Sequence, residues 1–240
     1  VESANVRARY LKRGRGKYLG LTYCSIYYTK NGKCLYWQAN EMKQRIFDLS
    51  ISILLFLPFI TAMLIILLVL YSVDGKKPFF VHQRIGKNGK PFLMFKFRTM
   101  HLNSEKMLDE ILEKDPSLKD EWYENYKLRN DPRISFVGKF LRKTSLDELP
   151  QYFNILQGSM SWVGPRPIVN EELEKYGKFK YVYLSMKPGL TGLWQIGSRN
   201  DESYEYRIKT DSKYYHSKSF FLDLLIIIKT VSAVIRGKGQ

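Results

Sequence analysis

Between Leu49 and Val73 the chain carries no charged side chain, Pro58 interrupts that stretch, and basic residues crowd both of its ends. A helix needs about 20 apolar residues to cross the hydrocarbon core of a bilayer, so length permits a crossing. The flanks argue for another path. Lys43 and Arg45 precede the stretch and Lys76, Lys77, Arg84 and Lys87 follow it, and basic residues near membrane ends favour the cytoplasmic side. Pro58 supplies a place to turn, because its ring removes one backbone donor and clashes with the carbonyl of Leu54. Ser50, Ser52 and Thr61 bring hydroxyls that can satisfy the freed backbone groups at membrane depth. From these residues two paths stay open: a helix that enters, bends and leaves by the same face, and a proline-kinked single crossing.

The charge distribution narrows the partners. The formal net charge is +16, and residues 1–45 hold ten Lys or Arg against two acids, half of the excess. A polybasic stretch just before a lipid-embedded helix is drawn to anionic head groups by about 1 kcal/mol per cation near the surface. Nucleic acid binding calls for a recognised module or aromatics interleaved on a basic face, and the sequence has neither. Anionic membrane lipid is therefore an expected partner and nucleic acid is not. Cys24 and Cys34 are too few for a disulfide framework or zinc site. His82, His101 and His216 are scattered without metal spacing. Residues 1–40 have no apolar core of a signal peptide and no regular period, so they read as a basic N-terminal extension or linker, with Met42 a reasonable natural start. Residues 41–75 then form the membrane segment and residues 76–240 one further domain.

Past the apolar stretch, Phe79 to His82 and Pro91 to Phe97 are β-rich runs joined through Gly86, Asn88 and Gly89, and Asn-Gly between such runs predicts a hairpin. From Ser104 the pattern turns helical, with Met107, Leu108, Ile111 and Leu112 on one face. Pro116 ends or restarts that helix, and Leu118, Trp122 and Tyr126 continue at helical spacing as a packing stripe. Phe220 to Arg236 is apolar around much of its circumference, as befits a core helix or one lying in the membrane interface.

Chemistry concentrates between Arg142 and Arg166. Ser145-Leu-Asp147-Glu148-Leu-Pro150-Gln151 reads as the opening of a helix that ends by Gly158. Pro150 belongs in the first turn, which puts Asp147 at or next to the N-cap. Two carboxylates side by side at a helix start have a complete structural account as cap and dipole partner, with Gly158 closing the helix. Cations nevertheless surround them: Lys139, Arg142 and Lys143 precede, and Gly164-Pro165-Arg166-Pro167 follows. Prolines on both sides of Arg166 restrict the backbone and limit where its guanidinium can go, which suits bidentate phosphate recognition, although a structural ion pair remains open. Carboxylates that can hold Mg²⁺ against a diphosphate, with arginines nearby, make a phosphoryl-transfer site. Between Pro188 and Gly197, Pro-Gly and Thr-Gly read as a turn-rich connector. Asp211, Tyr214 and Tyr215 read as packing residues ahead of the last helix.

From Met42 to the C-terminus the chain resembles the monotopic phosphoglycosyl transferases, the bacterial sugar transferase family. The matching pieces are Lys96-Phe-Arg98-Thr-Met100, the Ser145-to-Gln151 motif, Gly164-Pro165-Arg166-Pro167 and Pro188-Gly189-Leu-Thr191-Gly192-Leu-Trp-Gln195, in that order. Asn130-Asp131-Pro132-Arg133-Ile134, with the acidic helix before it, is similar to the undecaprenyl-phosphate galactose phosphotransferase branch.

That resemblance implies an α+β chain: a re-entrant membrane helix-break-helix plus a mainly helical cytoplasmic catalytic domain with a small β-hairpin and interfacial amphipathic helices. It favours the path that re-enters, with the break at Pro58, although Leu57 stands where small members commonly place Ser. The implied reaction moves a sugar 1-phosphate, galactose before glucose, from a UDP-sugar to undecaprenyl phosphate with release of UMP, starting a surface polysaccharide or glycan. By resemblance, Asp147 attacks the sugar-bearing phosphorus and Glu148 helps hold Mg²⁺, the implied cofactor. Arg142 and Arg166 stabilise charge on the transferring group. Lys96 and Arg98 meet the lipid phosphate or the diphosphate, and Thr191, Gln195 and Arg199 fall near nucleotide and sugar. The implied location is the cytoplasmic face of the bacterial inner membrane, and the branch suggests a homodimer. A non-catalytic protein binding anionic lipid, with Asp147 and Glu148 as a mere helix start, is the competing expectation.

Overall fold

The computed structural model describes residues 35–74, 77–125, 128, 130–197 and 203–235. The expectations for residues 1–34, and those attached to Cys24, Cys34, Lys76, Tyr126, Arg199 and Arg236, lie outside the described residues.

Helix α1 (Leu35–Leu54) and helix α2 (Phe56–Asp74) are separated by a single non-helical residue, Leu55. Pro58 explains where the break falls. It has no N–H to offer the carbonyl four residues back, that of Leu54, so the ladder lapses one turn before the proline. On either side it closes normally, with the Leu55 N–H on the Ile51 carbonyl at 2.9 Å and the Phe59 N–H on the Leu55 carbonyl at 3.0 Å. Phe56–Val73 has a mean hydropathy of 2.5 and is 17% buried, long and apolar enough to cross a membrane.

Both helices are fastened to the rest of the chain. From α1, the Arg45 guanidinium donates to the carbonyls of Ile155 and Leu156, each at 2.5 Å. Asp48 is fully buried, and its Oδ1 accepts from the Ser161 hydroxyl at 2.8 Å and the Trp162 N–H at 3.1 Å. The Tyr152 hydroxyl donates to the Ser52 carbonyl at 2.8 Å. From α2, Phe59 packs against Tyr152 and edge-on to Trp162. Met63, Ile66 and Leu70 follow at helical spacing and join the same buried cluster as Phe97, Leu141, Ile155, Val182 and Ile226. The outer face of α2, with Leu57, Leu64, Leu68 and Tyr71, is exposed.

Strands β1 (Phe79–Ile85) and β2 (Pro91–Phe97) form the expected antiparallel hairpin, with β1 three residues longer than its sequence pattern indicates. The connection places Asn88 at φ 58° and Gly89 at φ 75°, left-handed values that Asn and Gly tolerate. Phe80 pairs with Lys96, His82 with Met94 and Arg84 with Phe92. Side chains of directly opposed residues share a face, so these six form one side of the hairpin.

Helices α3 (Ser104–Lys114) and α4 (Pro116–Asn125) follow the sequence reading, with Pro116 opening the second. The Arg133 guanidinium lies 4.9 Å from the Trp122 ring and forms a two-point pair with Asp131 at 2.8 and 2.6 Å. Helix α5 (Phe136–Thr144) starts at Ser135, whose Oγ accepts the Gly138 N–H at 3.0 Å. Gly138 is required there, since a Cβ would lie 2.0 Å from the Thr99 carbonyl oxygen. The remaining elements are α6 (Gln151–Gln157), β3 (Ser161–Val163), α7 (Asn170–Lys175), α8 (Lys180–Leu184), β4 (Gly189–Thr191), α9 (Leu193–Ile196), α10 (Tyr204–Ser217) and α11 (Phe220–Ile235).

One expectation changes here. The segment from Pro188 to Gly197 is no mere connector: Gly189–Thr191 pairs in parallel with Ser161–Val163, and α9 follows. Such three-residue strands are too short to show a period in the sequence. The last helix buries Asp223 and Ile226 on one face and leaves Phe221 and Ile228 exposed on another.

Candidate active site

The acidic motif does not open a helix as its sequence suggests. Helix α5 ends at Ser145, which adopts a left-handed backbone at φ 57°. The chain then makes one 3₁₀ turn over Leu146–Glu148, and α6 begins only at Gln151, with Pro150 in the capping position. Asp147 therefore sits in a turn between two helices, and its side chain caps neither. Proline tolerance could not distinguish the two arrangements, because the 3₁₀ turn also leaves Pro150 without need of an N–H. Gly158 does close α6 as expected, at φ 85°.

The turn holds two carboxylates close to one ammonium. Lys96, on β2, places its Nζ 2.7 Å from Glu148 Oε1 and 3.5 Å from Asp147 Oδ2. Asp147 is 7% exposed. Burial raises the pKa of its carboxyl above the ordinary value and Glu148 adds to this, while Lys96 and Arg142 pull it down. Arg142 belongs to α5, and its Nε donates to Thr99 Oγ1 at 2.8 Å. Held there, its positive charge acts on Asp147.

An open cleft runs from this turn and is lined by Arg84, Met94, Lys96, Glu148, Gln151, Arg166, Pro167, Gly189, Leu190 and Gln195. Of the residues singled out from sequence, Lys96, Glu148, Arg166 and Gln195 meet there, with Asp147 adjoining through Lys96. Gln195 is oriented by an Nε2 bond to the Leu190 carbonyl at 3.1 Å. Thr191 is not among the lining residues. It is 4% exposed, and its hydroxyl shares a 2.6 Å hydrogen bond with that of Thr230 on α11. Arg98, 8% exposed, is likewise outside the lining, and Arg199 lies outside the described residues.

Glycines set the far wall. A Cβ on Gly189 would stand 2.1 Å from the Gly164 nitrogen, and one on Gly164 would stand 2.3 Å from the Lys187 carbonyl oxygen. The two motifs therefore touch backbone to backbone, sealed by the Gly164 N–H on the Thr191 carbonyl and the Gly189 N–H on the Pro165 carbonyl, each 2.9 Å. That contact carries Arg166 to the cleft. Its carbonyl accepts from Arg207 Nη2 at 3.1 Å.

Sequence reasoning missed Arg84, Gln151, Glu172 and Arg207. Arg84 entered it only as a flanking charge. Its cross-strand alignment with Met94 and Lys96 on one hairpin face is the signal that a register, once assigned, would have supplied.

No group of three or more His, Cys, Asp or Glu side chains among the described residues is arranged to hold a metal. Asp147 and Glu148 offer two hard oxygen-donor groups, too few to cage a cation and suited to one that takes its other oxygens from a diphosphate and water. The Lys96 ammonium between them shows that the pair accepts positive charge. The donor set fits Mg²⁺ in that sense.

Comparison with known proteins adds a lineage. Residues 39–237 match the family described as bacterial sugar transferase. The undecaprenyl-phosphate galactose phosphotransferase of Salmonella typhimurium is 46% identical over 204 residues, 84% of this chain and 42% of that protein. The exopolysaccharide production protein ExoY of Rhizobium meliloti is 48% identical over 202 residues, 83% of this chain and 88% of its own length. The UDP-glucose:undecaprenyl-phosphate glucose-1-phosphate transferase of Klebsiella pneumoniae is 38% identical over 203 residues, 80% of this chain and 40% of that protein. The chain thus spans about two-fifths of the Salmonella and Klebsiella proteins.

Proposed function

Because the chain belongs to the bacterial sugar transferase family, we propose that it transfers a sugar 1-phosphate from a UDP-sugar to undecaprenyl phosphate, with Asp147 as the covalent relay. The observation that carries this reading is the pairing of a buried Asp147 and Glu148 with Lys96 at one end of a cleft that Arg166 also lines.

In the first step an Asp147 carboxylate oxygen bonds to the sugar-bearing phosphorus. The bond from that phosphorus to the bridging oxygen breaks, and UMP departs with the electron pair. In the second step a phosphate oxygen of the lipid attacks the same phosphorus and expels the Asp147 oxygen, regenerating the carboxylate. One transfer between two anions becomes two displacements at a fixed centre. Lys96 keeps Asp147 ionised against the cost of its burial, and Arg166 meets charge on the diphosphate. Mg²⁺, held by Asp147 and Glu148, would supply Lewis-acid charge to the diphosphate oxygens.

Galactose is the favoured sugar, since the Salmonella relative at 46% identity bears that name and the Klebsiella relative named for glucose stands at 38%. A panel of UDP-sugars assayed for UMP release decides between them. Mass spectrometry of enzyme treated with donor alone is expected to find a phosphosugar on Asp147, absent in Asp147→Asn. Turnover without any adduct, or an active Asp147→Asn, refutes the relay.

The α1–α2 pair is read as re-entering the membrane, with the exposed turn at Leu54–Leu57 in lipid and the catalytic part at the cytoplasmic face. Support comes from α1 and α2 both packing on the same core, through Asp48 and Ser52 on one side and Phe59 to Leu70 on the other. A helix crossing to the far side would carry its second half away from that core. Tags placed before Lys43 and after Lys77 are expected on one side of a vesicle, and labelling from opposite sides refutes re-entry.

A further inference from the structure

The cleft has a second cationic end, and one carboxylate serves it. Arg84 from β1 and Arg166 both line the cleft, and Arg207, 6% exposed on α10, braces the Arg166 backbone. Burial weakens the hold of Arg84 on its proton, and the like charges of Arg166 and Arg207 add to that. Glu172, on α7, lies between two of the three guanidiniums. Its Oε2 is 3.5 Å from Arg84 Nη1 and its Oε1 is 3.5 Å from Arg207 Nη1.

Those contacts are long. A tight charge-assisted bond runs about 2.7–2.9 Å. Glu172 is held back by its own helix start, where Oε2 accepts the Val169 N–H at 3.1 Å. Among the described residues, the buried Nε atoms of Arg84 and Arg207 have no hydrogen-bond partner. Arg84 lines the cleft and is offset by a carboxylate only at a distance, an arrangement that suits an anion that comes and goes.

We infer that Glu172 competes with the phosphate of the departing nucleotide for Arg84, and so sets how readily that product leaves. The inference rests on the reading of the cleft as a UDP-sugar site. When the bond to the sugar-bearing phosphorus breaks, the UMP phosphate gains negative charge and binds Arg84 more tightly. A carboxylate positioned to reclaim Arg84 opposes that gain. Glu172 is thus a counter-ion that positions two arginines and touches no reacting atom.

The test titrates UMP by calorimetry into the full chain in lipid nanodiscs without donor, comparing wild type with Glu172→Gln. Gln accepts the Val169 N–H as Glu does, so the start of α7 survives. Glu172→Gln is expected to bind UMP roughly five- to tenfold more tightly, the factor carried by one half-buried ion pair, and to show lower kcat with stronger UMP inhibition. Adding Arg84→Gln is expected to reverse the gain. Glu172→Asp, which retracts the charge from both guanidiniums, is a second variant expected to tighten UMP in the same sense. Glu174→Gln, which removes an exposed partner of Lys180 on the same helix, is expected to change nothing. A structural defect would weaken binding, so UMP affinity that is unchanged or lower in Glu172→Gln overturns the inference. Wild-type enzyme that binds UMP and turns over confines that failure to Glu172. Wild type that neither binds UMP nor releases it from any UDP-sugar overturns the functional reading as well.

Discussion

Gly189→Ala tests the idea that two glycine motifs meet backbone to backbone to build the cleft. The new Cβ would fall 2.1 Å from the Gly164 nitrogen, 2.4 Å from the Thr191 carbonyl oxygen and 2.7 Å from the Gly164 Cα. All three are backbone atoms, and no side chain can swing away. Ordinary contact at roughly 3.4 Å requires the two strands to part by about 1 Å, which strains the hydrogen bonds of Gly164 and Gly189. Overpacking of this kind costs about 1–3 kcal/mol, and a rigid backbone clash belongs at the upper end. Arg166 lies two residues beyond Gly164, so the displacement reaches the cleft. A shift of about 1 Å in a positioning group lowers rates by roughly a hundredfold. Thermal unfolding in nanodiscs and UMP release measure the two effects separately. The control is Gly177→Ala, where a Cβ meets nothing within 4 Å and only the left-handed backbone at φ 48° is strained. That change is expected to cost about 1 kcal/mol and no activity. Wild-type stability and rate in Gly189→Ala would refute the account of how the site is held together.

Three further outcomes follow from the same geometry. Arg45→Ala removes both guanidinium bonds to the last carbonyls of α6 and is expected to cost about 2 kcal/mol in unfolding, with Arg45→Lys recovering part; an unchanged midpoint would show that α1 does not secure that helix. The proposed relay requires an ionised Asp147, and burial raises its pKa, so kcat/KM is expected to fall as pH drops through a value above the ordinary carboxylate pKa of about 3.9. Lys96→Gln is expected to move that limb higher still, and a limb at or below the ordinary value contradicts the assignment. Arg166→Lys is expected to fold normally and lose roughly ten- to a hundredfold in kcat/KM, because an ammonium lacks the two-point fork; loss of the fold instead would mark Arg166 as structural.

Local signals carried much of the architecture. The Asn-Gly hairpin, the paired helices around Pro116 and the glycine stop at Gly158 each depend on a few neighbouring residues, and the structure has all three. The interruption of the apolar stretch was legible from Pro58 alone, with the unwound residue falling at Leu55 because the carbonyl left without a donor is that of Leu54. What stayed hidden depends on partners far apart in the chain. Nothing around Asp48 announces that it accepts from Ser161 and Trp162, and nothing around Glu172 announces Arg84. The motif at Asp147 was found, but its 3₁₀ turn was not, since one proline satisfies both a helix start and a turn before one. At Thr191 the motif drew attention to the side chain, and only the structure shows its carbonyl sealing the wall and its hydroxyl meeting Thr230.

The fastening of α1 and α2 bears on how this polypeptide can be handled. Asp48, Met63, Ile66 and Leu70 are as deeply enclosed as the core residues they pack with. Trimming these two helices away would strip Tyr152 and Trp162 of their cover and leave the Ser161 hydroxyl and Trp162 amide without their acceptor. The helix pair is thus a structural wedge in the core, and a chain cut free of it is expected to lose its fold.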